Sequence, residues 1–273
     1  MSQENRISTR LAALKAANKK ALVSYIVVGD PRPEVSLAAM HTLVENGTDI
    51  IELGIPFSDP MAEGPVIQKG HERALSHNVS LRSTLATVVE FRKQDNETPI
   101  VVMGYTNPIE RMGYSDFAKT ASAAGVDGVI TVDLPPEELE NFNAELKANN
   151  MHNIFLLAPT SSNARIEKIC AVASGFLYYV SLKGVTGAGH LDVDSVKEKV
   201  AEIRQHSALP VLVGFGIKNA ETARAVGELA EGVVVGSVLV SAMGEHADAT
   251  TEVICEQIKN HVASIRSGLD SIE

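Results

Sequence analysis

The segment IIELGIPFSDPMAEGP, residues 50–65, carries Glu52, Asp59 and Glu63 with no basic residue among them. Glu52 lies inside an apolar run, where withdrawal from water disfavours the charged form of a carboxyl and raises its pKa. A carboxyl poised near neutrality can both give and take a proton. The alternative is a glutamate paired with a cation: the next Lys or Arg along the chain is Lys69, and a partner distant in sequence stays open. Glu63, on the following loop, reads either as a solvated loop acid or as a second carboxylate facing Glu52 across a ligand. Asp59, between Ser58 and Pro60, reads equally as a turn residue.

A second group of residues points to an anion. Glycines recur in KGVTGAG (183–189), in GFG (214–216) and at Gly236, which Ser237 follows. Glycine lets backbone amides approach an anion closely, and Ser237 can open a helix whose N-terminus favours negative charge. Each glycine alone is an ordinary turn former; their joint placement suggests a phosphate site. VTGAG lacks the Gly-Lys-Thr/Ser ending of a Walker motif. The eight histidines form no ligand spacing, which argues against a catalytic metal. Lys183 is the only lysine near an expected strand end, so a Schiff-base mechanism has no strong candidate.

These groups must be held by something. Apolar runs recur at 21–28, 49–53, 99–105, 128–132, 153–158, 175–181, 210–215 and 232–236. They are continuously apolar rather than alternating, as expected of strands covered on both faces. Helical periodicity fills 33–47, 80–94, 115–125, 136–150, 164–175, 192–206, 220–230 and 250–266. Ser80, Ser115, Asp192 and Asn219 stand at N-cap positions, and Gly47, Gly125 and Gly175 near helix ends. Eight strands alternating with eight helices predict an α/β fold, a (β/α)8 TIM barrel forming one domain over residues 1–273. An extra N-terminal helix near 5–18 is expected to cover its bottom. An open doubly wound sheet is the second choice, but no GxGxxG follows the first strand. In a barrel the site lies at the carboxyl ends of the strands, and a phosphate site frequently follows strands 7 and 8. Glu52, the loop after it and the glycines all fall there.

Composition narrows the class. Thirty-four acids against 24 Lys and Arg give a net charge of −10, which argues against nucleic acid as a partner. No apolar run reaches the ~18 residues of a membrane span, and the N-terminus lacks a signal-peptide core. A cytoplasmic protein is expected. Cys170 and Cys255 sit in apolar helical patterns and read as buried free thiols.

ELGIPFSDPMAEGPVIQ, MGYTNPI, SLKGVTGAG, VGFGI and VVVGSVLV together resemble the signature segments of the tryptophan synthase alpha chain family, in order from about residue 25 to 240. The resemblance implies a barrel that cleaves indole-3-glycerol phosphate to indole and glyceraldehyde 3-phosphate by a retro-aldol step, with no cofactor or metal of its own. It implies a pyridoxal-phosphate-bearing beta chain as partner in an αββα assembly. Glu52 matches the family's catalytic glutamate. The family's second acid, an aspartate beside the indole N–H, falls at Glu63, one methylene longer. Tyr178 matches an active-site tyrosine, and Tyr25 stands where the family usually has phenylalanine. Met103 and Leu156 match residues enclosing the indole. Gly187, Gly216, Gly236 and Ser237 match phosphate-binding positions, with Phe215 beside them. Thr186 matches the residue on the closing loop after strand 6, and Asp59 its partner on the loop after strand 2. Pro56, Asn107, Asp133 and Pro135 match positions at or near the contact with the beta chain, where Pro56, Asn107 and Pro135 are expected to form one exposed surface. Two rivals remain: another phosphate-handling barrel enzyme, and an alpha-like chain that activates its partner after losing its own chemistry.

Overall fold

The computed structural model describes residues 5–181, 193–214 and 216–272. Its centre is one parallel sheet: β1 (Ala21–Val27), β2 (Ile50–Gly54), β3 (Ile100–Gly104), β4 (Gly128–Thr131), β5 (His152–Asn153), β6 (Phe155–Leu157), β7 (Leu177–Val180), β8 (Val211–Gly214) and β9 (Gly232–Val235). The order β5-β4-β3-β2-β1-β9-β8-β7-β6 begins and ends on neighbouring segments of chain, so the sheet curls into a nearly closed barrel. The expected fifth strand is split at Ile154. β5 pairs with β4 and β6 with β7, while Ile154 N–H donates to Val129 O at 2.9 Å across the seam. The eight expected strands are therefore nine segments.

Period-two alternation divides each strand between two apolar environments. Ala21, Val23, Ile50, Val101, Ile130, Ile154, Phe176, Leu212 and Val234 form a cluster inside the barrel, joined by half-buried Met103, Leu156 and Tyr178. Their sequence neighbours, among them Leu22, Ile51, Val102, Val129, Leu177, Val213 and Val233, pack outward in the larger cluster beneath the helices. This is why the strands read as unbroken apolar runs.

The expected N-terminal helix is α1 (Arg6–Ala16), whose Ile7 and Leu11 enter the inner cluster from below. Burying each contributes about 1.5–3 kcal/mol. The outer helices are α2 (Pro33–Glu45), α3 (Pro65–Ser76), α4 (Leu81–Arg92), α5 (Thr106–Met112), α6 (Tyr114–Ala124), α7 (Glu140–Ala148), α8 (Asn163–Val172), α9 (Val193–Arg204), α10 (Ala220–Gly227), α11 (Ser237–Glu245) and α12 (Thr251–Asp270). Capping boxes open α4 at Ser80–Ser83 and α10 at Asn219–Thr222, as their sequences suggest. Ser115 is not a cap. Gly113, at φ +91°, turns the chain from α5 into α6 and so starts that helix one residue earlier. Asp192 lies outside the described residues. Cys170 on α8 and Cys255 on α12 are free and half-buried rather than buried. Among the described residues no helix is long and apolar enough to cross a membrane.

Candidate active site

Strand register assembles the site. Tyr25 of β1 is the pairing partner of Glu52 on β2, which in turn pairs with Val101 of β3. Period two aims Tyr25 and Glu52 into the barrel with Ala21, Val23 and Ile50, at the carboxyl ends of their strands. Glu52 is 1% exposed, and its Oε2 has no hydrogen-bond partner among the described residues. Burial pushes its pKa up to about 8, with the nearby Glu63 carboxyl adding to the rise. Burial also raises Glu63, to about 7. Two carboxyls whose ordinary values lie near 4 thus titrate around neutrality.

The loop between β2 and α3 brings Glu63 to this position. Ile55 N–H donates to Met103 O at 2.8 Å, which carries the chain on along the barrel wall. The Phe57 N–H then donates to His71 Nδ1 at 3.0 Å, and Ala62 N–H to Tyr105 Oη at 3.1 Å. Phe57 stacks on Tyr105 with ring centroids 5.0 Å apart. Gln68 Nε2 donates to Glu63 O at 2.9 Å. Glu63 is half-buried, not the solvated acid its loop position alone would suggest. Tyr105 and His71 were not among the expected site residues. Tyr105 lies within the quoted segment MGYTNPI. His71 lies on α3, whose Pro65 start and buried Ile67, Gly70, His71 and Ala74 carry a helical signal in the sequence.

Two phenol rings lie near these carboxyls. Tyr25 is buried and packs over Gly54 and Gly236; half-buried Tyr178 packs over Gly214. A Cβ at Gly54 or Gly214 would collide with these rings, so those glycines make room for aromatics on neighbouring strands. Burial raises both phenol pKa values well above the ordinary range, so both rings stay protonated. Met103 and Leu156 line the inner wall. Gly216 has φ +79°. Gly236 is the N-cap of α11 without a side-chain cap, and Ser237 is the first helical residue, with no acid in the first turn. Among the described residues, the first amides of α11 thus have no side-chain acceptor. Thr186, Gly187 and Phe215 lie outside the described residues.

The outer residues separate. Asp59 is exposed and accepts from Ser58 Oγ at 2.6 Å. Asp133 is exposed and accepts from Thr106 N–H and Oγ1, both at 2.7 Å. Asn107 is exposed and Pro135 half-buried. Pro56, expected on the same exposed surface, is buried, because the chain stays against the barrel wall through residue 56. The exposed large apolar residue of this loop is Met61, at 78%.

The profile of the "Tryptophan synthase alpha chain" family matches residues 11–267. A tryptophan synthase alpha chain from Cupriavidus metallidurans is 55% identical over 267 residues, covering 98% of this chain and all of that relative. One from Thioalkalivibrio sulfidiphilus is 54% identical over 269 residues, 97% of this chain and all of the other. The crystal structure of tryptophan synthase subunit alpha from Legionella pneumophila superposes with a TM-score of 0.91 at 44% identity, covering 99% of this chain and 100% of that one. The chain belongs to the tryptophan synthase alpha chain family. With that membership comes the family's reaction, the lyase half-reaction that splits indole-3-glycerol phosphate into indole and glyceraldehyde 3-phosphate. It also implies a beta-chain partner.

Proposed function

We propose that Glu52 and Glu63 carry the proton chemistry of this cleavage. The observation behind the reading is the burial of Glu52 with an unpartnered Oε2, next to a second carboxyl and, among the described residues, without a cation in hydrogen-bond contact. At neutral pH a carboxyl with a pKa near 8 holds its proton. Glu52 gives that proton to the indole ring carbon bearing the glycerol chain, and the ring nitrogen becomes positive. Ionised Glu63 beside the indole N–H stabilises that charge. Glu52, now a carboxylate, takes the proton of the adjacent glycerol hydroxyl. The carbon–carbon bond breaks, its electrons return to the ring, and indole and the aldehyde separate with no net proton gained or lost.

Tyr25, Met103, Leu156 and Tyr178 enclose the indole in this reading. Gly187, Gly216, Gly236 and Ser237, with Phe215 beside them, receive the phosphate at the start of α11. Asp59 and Thr186 close the loops. Asn107, Asp133, Pro135 and exposed Met61, with Pro56 beneath, face a beta chain that holds pyridoxal phosphate, in an αββα assembly to which indole passes. The alpha chain itself works without a cofactor, as one barrel domain in the cytoplasm.

The second reading is a weakened alpha-like chain that mainly activates its partner, favoured by the longer acid at Glu63. Indole release from indole-3-glycerol phosphate, measured with and without a cognate beta chain, separates the two. The expected result is cleavage, accelerated by the beta chain, that falls by roughly 10²-fold or more in Glu52→Gln while substrate still binds. A Gln variant working at the parent rate removes Glu52 from the chemistry, and a parent chain that activates beta without cleaving supports the second reading.

A further inference from the structure

His71 is 2% exposed and stands between the loop that carries Glu63 and the barrel interior. Its Nδ1 accepts the Phe57 N–H at 3.0 Å, and its Nε2 lies 3.4 Å from Tyr25 Oη. A neutral imidazole has one N–H and one bare nitrogen. A backbone N–H aimed at Nδ1 requires that nitrogen to be bare, so the ring hydrogen is on Nε2. The contact to Tyr25 therefore runs from histidine to tyrosine. Burial lowers the His71 pKa to about 4, so the ring is neutral at physiological pH and the sense of this chain of donors does not reverse.

That assignment fixes Tyr25 in turn. Its oxygen already accepts from His71, which leaves its own hydrogen to be donated elsewhere. The ring is 5% exposed and wedged against Gly54 and Gly236, so the hydroxyl has little freedom to seek bulk water. The titratable groups near enough to act on it are Glu63, Glu52, Tyr105 and Tyr178, besides His71 itself, and among the described residues only His71 is in hydrogen-bond contact with it. Of these only the two carboxylates offer a negative acceptor. Glu52 begins the reaction protonated in the reading above, whereas Glu63 works as an anion.

We propose that Tyr25 is a positioning residue: the Nε2–H tautomer of His71 commits its hydroxyl to donate into the loaded cleft, where it holds the ionised carboxylate of Glu63 beside the indole N–H. This rests on the role given to Glu63 above. The same histidine anchors Phe57, at the start of the Glu63 loop. One side chain thus ties the loop's entry to the barrel interior, while Tyr105 ties its exit through Ala62 N–H. A donated hydrogen bond favours the charged form of the acceptor. In the loaded cleft the bond from Tyr25 therefore opposes the rise that burial imposes on Glu63.

The test uses the chain in complex with a cognate beta chain, and three variants. Tyr25→Phe removes the hydroxyl. His71→Asn keeps an acceptor at the Nδ1 position for Phe57 but is too short to reach Tyr25. The third combines both. Without the donor, Glu63 ionises at higher pH, so the acid limb of single-turnover cleavage moves upward. The expected shift is about one pH unit, a fall of about tenfold at the foot of the limb, with a smaller fall on the plateau. His71→Asn moves the limb in the same direction, and the double variant adds nothing further. Independently of turnover, ¹⁵N NMR of His71 in the parent is expected to report Nε2–H with a bare Nδ1. An unmoved limb in Tyr25→Phe, or a hydrogen on Nδ1, overturns this proposal while leaving the cleavage reading intact. A parent chain that does not cleave overturns both.

Discussion

Buried carboxyls at the two ends of the barrel meet opposite company. At the amino end of β4, Asp127 accepts from Arg6 Nη1 at 2.9 Å, Arg92 Nη2 at 3.0 Å and Ile100 N–H at 2.8 Å. At the amino end of β2, Asp49 accepts from Leu22 N–H at 2.9 Å and from Arg266 at 3.2 Å. Even at the upper rim, Asp30 is held by Arg73 at 2.6 and 3.0 Å. Glu52 is equally buried and has no cation in hydrogen-bond contact among the described residues; its charged neighbour is another acid. A buried charge is retained cheaply only when paired and hydrogen-bonded. Where the chain satisfies its acids it gains a fixed architecture, and where it leaves one unsatisfied it gains a titratable group near neutrality.

The largest effect belongs to the satisfied end. Asp127→Ala leaves the Arg92 guanidinium buried beside Gly125 O and Thr98 O with its carboxylate gone. The expected cost is about 3–5 kcal/mol in urea unfolding, with little change in cleavage per folded molecule. A variant as stable as the parent would erase the contrast between the two ends.

At the unsatisfied end the sign reverses. Glu52 has a raised folded pKa, so between about 4.5 and 8 the unfolded chain binds fewer protons at this site than the folded one. Stability contributed by the protonated form is full below the unfolded value and declines as pH rises through this window. Glu52→Gln removes the decline. The variant is expected to match the parent near pH 5 and exceed it by about 3–4 kcal/mol at pH 8, or about 6–16 °C in Tm, while losing turnover. Equal melting temperatures at pH 8 would indicate that Glu52 ionises in the folded chain without penalty.

The smallest effect concerns the loop between them. Tyr105→Phe removes the acceptor of Ala62 N–H but keeps the stack on Phe57. A loss of about 1 kcal/mol is expected, seen as faster hydrogen exchange at the Ala62 amide and a raised KM. Unchanged exchange there would mean that stacking alone fixes the position of Glu63.

The barrel was legible because both faces of each strand are apolar, a pattern that local sequence carries by itself. Glu52 was legible for the same reason: a carboxylate inside such a strand stands out. Helices α3, α5 and α11 are absent from the expected set. α5 and α11 are short and follow strand ends where Pro and Gly suggest loops, though the start of α11 at Ser237 is anticipated. α3 carries a helical signal that the Pro-rich loop before it masks. The break at Ile154 depends on closing the ring and has no local signal. Burial of Glu63, the support from Tyr105 and the contact of His71 with Tyr25 depend on partners 43 and 46 residues apart. The Arg6–Asp127 pair spans 121 residues. Such partners emerge only when strand order sets which ends meet.

The most direct test of the contrast is a carboxyl-carbon NMR titration of the chain with ¹³C-labelled glutamate side chains, assigned with Glu52→Gln and Glu63→Gln. The expected result is a coupled pair titrating between pH 6 and 9, with apparent values near 7 and 8. Two resonances that both titrate near 4.5, as solvated glutamates do, would contradict the claim that burial without a counter-charge prepares this site for proton transfer.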